Sequence, residues 1–255
     1  VLLCTTFSLM ALLAWLQGAR TGRLGWRALG LGLTGLALMC KEVAATLPAV
    51  FFMIDLLEGA GSSFRSRLVS ALRRALGGAI SVGAYTGLRL AIFGRLTIKY
   101  AGLEPMEYAR AFHVFERLGE SLTSMFLPIN RAMMPDGLER VVIGLMVAVY
   151  AVALVRAAAL VFSVRAFRNL VLVQLCFLVV SFMPTLPIFW IDRNLFNARF
   201  AYQPAVAWLT IVVAALWMRP SDAPPSPWHT RLAIVATGVL VSAFAASLIL
   251  GLRAF

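Results

Sequence analysis

A lysine and a glutamate stand side by side, as Lys41 and Glu42, inside the otherwise oily stretch LALMCKEVAATLPAVFFMIDLL at residues 36–57. Ions are costly at membrane depth, and a span that carries them normally turns them toward a partner, a cavity or a functional site. A second cation, Arg89, lies five residues before Gly94 in another apolar run, about 7 Å below the end of a helix. Arg199 and Tyr202 share the stretch NARFAYQP at the entrance to a later run. A guanidinium fork matches phosphate oxygens in two-point geometry. Brought together with Glu42 and Asp192 nearby, Lys41, Arg89 and Arg199 would form a shallow basic hollow suited to a phosphate on a lipid whose tail stays in the bilayer. Other readings stay open: Arg89 can snorkel to the headgroups, Arg199 can be a surface anchor, and Tyr202 fits an interfacial tyrosine belt.

The elements that would position these residues are apolar helices. Of 255 residues, 61% are hydrophobic and 13% charged, and the mean hydropathy is +0.88, far from the balance of a water-soluble domain. Eight apolar runs stand out, at residues 2–17, 28–40, 43–57, 75–94, 141–155, 170–191, 201–218 and 232–252. None alternates with the period of two expected of a membrane barrel, so helices must satisfy the backbone. The expectation is an all-α polytopic membrane protein of about eight spans. The first run lacks the basic start and small-residue cleavage site of a signal peptide and reads as a span. Because the chain opens on Val1 and stops at Phe255 beside an apolar run, it reads as a fragment.

The charges between the runs sort into two kinds. Arg20, Arg23 and Arg27, then Arg65, Arg67, Arg73 and Arg74, then Arg156, Arg165 and Arg168, then Arg219 and Arg231 fall in arginine-rich loops opposed only by Glu58 and Asp222. Residues 95–140 instead balance six basic residues against six acidic ones. Orientation follows Lys and Arg in short loops, which places the arginine loops in the cytoplasm. A single crossing over residues 28–57 would strand one of them outside, so a hairpin is expected there, with Lys41 and Glu42 at its tip. The alternative is one long tilted helix with buried ions. Residues 115–128 carry an amphipathic pattern that predicts a helix lying flat at the outer interface rather than a ninth span.

A net charge of +12 would point to nucleic acid in a soluble protein, but bracketing oily runs it fits anionic headgroups, so membrane lipids and not nucleic acid are the expected partners. Cys4, Cys40 and Cys176 match neither a metal site nor a disulfide framework and read as small core residues. His113 has no second ligand at a metal spacing. No metal and no cofactor are expected.

Several motifs, in order, are similar to one family. The stretch at residues 36–57 resembles the central lysine–glutamate segment, ending in an aspartate, of the transmembrane-and-tetratricopeptide-repeat family of protein O-mannosyltransferases and its bacterial relatives. NARFAYQPAVAW resembles its Arg-Tyr-x-Tyr-x-Pro signature at Arg199, Phe200, Tyr202 and Pro204, with Phe200 in place of the usual tyrosine and Ala198 where an acidic residue often stands. SLTSMFLPINRAMMPD and FRNLVLVQLCFLVVSFMPTLPIF are similar to two further segments of that family.

The resemblance implies a GT-C glycosyltransferase domain over residues 1–255, with an outer-face interfacial helix. Such an enzyme moves a sugar from a polyprenyl-phosphate donor to a protein or glycan acceptor. By the same resemblance, Lys41 contacts the donor phosphate, and the catalytic residue, an acidic one, lies before Val1. Tetratricopeptide repeats would follow the last span. The expected setting is a bacterial inner membrane with the active face toward the periplasm. A transporter or lipid flippase, or a non-catalytic membrane scaffold, is the alternative class. A transporter would be expected to show related halves, and the chain has no internal repeat.

Overall fold

The computed structural model describes residues 2–59, 63–94, 105–111, 113–116, 118–127, 136–183, 202–219 and 227–252. Its regular structure is helical, with no strand among the described residues. The helices are α1 (Leu2–Thr21), α2 (Leu24–Cys40), α3 (Leu47–Glu58), α4 (Phe64–Phe93), α5 (Pro105–Ala111), α6 (Leu118–Phe126), α7 (Asp136–Ser163), α8 (Arg165–Phe182), α9 (Tyr202–Trp217) and α10 (Pro227–Leu252). A short 3-10 turn, Glu42–Thr46, joins α2 to α3. Helix α4, residues Gly137–Ser163 of α7, and α8 are each long and apolar enough to cross a membrane. The chain is a helical membrane protein.

Helices outrun the apolar runs where arginine is involved, so much of the expected loop is helix. Helix α4 begins at Phe64 rather than Ala75, which puts Arg65, Arg67, Arg73 and Arg74 in its first turns. Ser63 starts it with a capping box: the Ser66 N–H donates to Ser63 Oγ at 3.2 Å and the Ser63 N–H to Ser66 Oγ at 3.4 Å. Arginine is a good helix former, so the helix extends past the oily run into a charged turn. At its far end Gly94 adopts φ +67 and its N–H closes on the Leu90 carbonyl at 2.8 Å. Helix α7 likewise runs through Arg156 to Ser163, and α8 takes up Arg165 and Arg168. At nine residues, α6 is about 14 Å long, too short by itself to cross a hydrocarbon core.

The chain forms two compact units. In the first, α1 to α4 pack around Trp15, Leu38, Leu47, Phe51 and Ile54, all essentially inaccessible. Helices α2 and α3 run antiparallel, because Arg27 in the first turn of α2 meets Asp55 in the last turn of α3. Residues 28–57 are therefore the expected hairpin and not one long helix. Helices α3 and α4 approach closely at Gly78, where an added Cβ would lie 3.0 Å from Pro48 Cγ. In the second unit, Met146, Tyr150, Ala153, Ala157 and Leu160 recur at helical spacing along α7 and pack with Val212 and Ala215 of α9 and Ala236 and Leu240 of α10. Small residues there let backbones approach, as between helices in lipid. Cys4 is buried, whereas Cys40 is exposed at the last position of α2. The core reading therefore fails for Cys40, which sits where its helix stops.

Candidate functional site

Helix α2 stops at Lys41 because the chain turns extended there, with φ −165 and ψ 137. The Lys41 N–H closes the last turn on the Ala37 carbonyl at 2.9 Å, and the Lys41 carbonyl accepts from the Ala44 N–H at 3.2 Å to open the 3-10 turn. Thr46 Oγ1 donates to the Val43 carbonyl at 2.8 Å, and Pro48 sits at the first positions of α3, where a missing N–H costs nothing. The Cys4 thiol, near the start of α1, donates weakly to the Lys41 carbonyl at 3.8 Å. The interruption is thus stitched locally and tied to α1.

Glu42 reaches α4. Its Oε2 lies 3.7 Å from Arg89 Nη1, and the same Nη1 donates to the Tyr85 hydroxyl at 3.0 Å, one turn back along α4. Arg89 therefore has partners within the protein. The ion pair is loose, longer than a hydrogen bond, with the Glu42 side chain 41% exposed and Arg89 14% exposed. The Glu42 carboxylate is exposed enough to be rehydrated cheaply, whereas Arg89 is largely buried and needs an anionic partner, so an incoming anion can take the place of the carboxylate. With Lys41 adjacent in the chain, the three charges sum to one net positive.

A second ionic group lies at the opposite end of the same unit, about 22 Å along α4 from Arg89. Asp55 is fully buried. Its Oδ1 accepts from Arg27 Nη2 at 3.1 Å and from Arg74 Nη1 at 3.2 Å, and its Oδ2 from Trp15 Nε1 at 3.0 Å. Trp15 stacks on Phe51 with ring centroids 4.2 Å apart and planes within 8°, and Arg27 lies 5.7 Å over the indole. Four helices thus converge on one carboxylate. Arg20 and Glu58 add a surface pair at 3.5 Å. Every carboxylate hydrogen bond is to a charged or aromatic donor, so this group is closed and structural, whereas the Glu42–Arg89 pair is open.

Of the five expected binding residues, Glu42 and Arg89 meet across 3.7 Å at one end of the first unit, with Lys41 the chain neighbour of Glu42 at the helix break. Arg199 and Asp192 lie outside the described residues, and Tyr202 opens α9 with its side chain outside the description. Sequence reasoning passed over the Asp55 group. Its signal was present: a lone carboxylate in the oily run AVFFMIDLL needs a cation when buried.

No protein-family model matches the chain, and no curated protein and no solved structure is significantly similar to it.

Proposed function

We propose that the chain is the membrane domain of a glycosyltransferase that moves a sugar from a polyprenyl-phosphate donor to a protein or glycan acceptor on the non-cytoplasmic side. The observation that carries this reading is the helix break at Lys41 with Arg89 held beside it by a loose, replaceable carboxylate. A lipid-borne phosphate entering there displaces Glu42 from Arg89 and gains two cations in a partly dry setting, where charge interacts more strongly than in water. The same reading takes Arg199 and Tyr202 as further donor-binding residues of a GT-C-like protein of about eight spans whose active face is periplasmic in a bacterial inner membrane.

Chemistry follows as a single displacement. The acceptor hydroxyl attacks the anomeric carbon, its proton passes to a general base, and the bond between that carbon and the phosphate oxygen breaks with its electron pair retained by the phosphate. Lys41 and Arg89 stabilise the charge that grows on this leaving group. Their contribution is larger in the transition state than in the ground state, as catalysis requires.

Transfer from polyprenyl-phosphate sugars by the full-length protein in proteoliposomes tests the reading. Lys41→Ala should lower transfer by about 10²-fold, the scale of one lost electrostatic donor. Full transfer by a correctly folded Lys41→Ala protein rejects the role of that lysine. A wild-type protein that transfers from no polyprenyl-phosphate sugar rejects the function.

A further inference from the structure

Away from the helix break, positive charge concentrates at one end of the second unit. Arg156 crosses from α7 to the end of α9, its Nε donating to the Ala215 carbonyl at 2.8 Å and its Nη2 to the Met218 carbonyl at 3.0 Å. Terminal carbonyls have no intrahelical donor, and a cation there also meets the negative end of the helix dipole. Arg156 is thereby occupied in holding α9. Arg219, the next residue after Met218, reaches the first turn of α10 and donates through Nη2 to Thr230 Oγ1. Arg231 follows and lies 5.9 Å over the ring of Trp228, whose side chain is 77% exposed.

Arg156 is thus tied to the end of α9 and Arg219 to the first turn of α10, and Arg231, one residue after Thr230, covers an exposed indole. Helix α7 beyond Glu139, and all of α8, α9 and α10, contain no Asp or Glu, so the charge in these helices has one sign. Arg165 and Arg168, exposed at the start of α8, extend the positive field. Immediately along α10, Leu232, Ile234 and Val235 are exposed and apolar. A polar head with an oily tail therefore has a matching surface: cations at the helix ends, an interfacial tryptophan, and an aliphatic face running away from them.

We propose that this end of the second unit binds the phosphate headgroup of an anionic phospholipid, with Arg219 and Arg231 on the phosphate and the acyl chains along α10. Basic pockets between membrane helices recognise anionic headgroups in this way, and tryptophan favours the same depth. A lipid is preferred to free phosphate because the residues flanking the cations are apolar and exposed. The inference does not depend on the transferase reading.

Short-chain phosphatidylglycerol, phosphatidylcholine and inorganic phosphate, each titrated into the detergent-solubilised full-length protein, separate the possibilities. Phosphatidylglycerol should raise the melting temperature and stay bound in native mass spectrometry, and phosphatidylcholine should do neither. Each arginine near a headgroup contributes about a fivefold change in affinity, so Arg219→Gln with Arg231→Gln should weaken binding roughly 25-fold. Arg231 is exposed, and Arg231→Gln alone keeps the test valid if the double variant does not fold. Equal affinity in the variants, or equal response to the two lipids, overturns the proposal. Protection by inorganic phosphate equal to that from phosphatidylglycerol overturns the lipid as ligand.

Discussion

Replacing Asp55 with Ala should be among the most damaging single changes in the first unit. The carboxylate is fully buried and accepts from Arg27, Arg74 and Trp15. Its removal leaves the Arg27 side chain, only 12% exposed, without its counter-ion, and the Trp15 indole N–H without an acceptor. Breaking a buried pair from one side costs about 3–5 kcal/mol. On the scale of soluble domains of this size, that lowers the melting temperature by roughly 10 °C. The two arginines should not be equivalent. Arg74 is 34% exposed and can be rehydrated, so Arg27→Met should cost more than Arg74→Met. Replacing the whole group, Asp55→Leu with Arg27→Met and Arg74→Met, should recover most of the loss, because no ion is then left alone in the core. The assay is thermal unfolding of purified protein in one detergent, followed by tryptophan fluorescence, since Trp15 itself reports on the site. An Asp55→Ala protein within about 0.5 kcal/mol of wild type, the range of an inert surface change, would refute the structural role.

Gly78→Val should destabilise the α3–α4 contact by about 1–3 kcal/mol, because the new Cβ falls 3.0 Å from a proline ring that cannot swing aside; the same melting assay reads it, and an unchanged melting temperature would show that the helices separate freely. Glu42→Gln should lower the KM for a polyprenyl-phosphate donor by about two- to fivefold, the worth of a loose ion pair whose carboxylate is partly exposed, since the ligand no longer competes for Arg89. A raised KM would mean instead that Glu42 holds Arg89 in its productive position.

The sequence foretold the helical class and the hairpin over residues 28–57 because both follow from local counts: apolar density, and arginine clusters that must lie on one side. It misjudged where helices end. Arg73, Arg74 and Arg156 read as loop by charge alone, yet each lies in a helix. Arginine favours helix, and Arg156 gains two terminal carbonyls of α9, a partner that no local window contains. Lys41 and Glu42 stood out as ions in an oily run, and the break at Lys41 is written in that dipeptide and in Pro48.

Pairing is what the linear order leaves undecided. Trp15, Arg27 and Arg74 lie 40, 28 and 19 residues from Asp55. Whether they meet it depends on the rotation of four helices about their axes and on a close approach such as that at Gly78. Those quantities are set by packing across the bundle, where desolvation makes any unmatched ion costly. Oiliness and charge sign are properties of each residue where it stands, and so the sequence alone determined a helical membrane chain with charged helix ends. Only the tertiary structure decided that the ions around Asp55 close on one another as a lock, while Glu42, beside the Lys41 break, meets Arg89 across 3.7 Å with its own side chain 41% exposed.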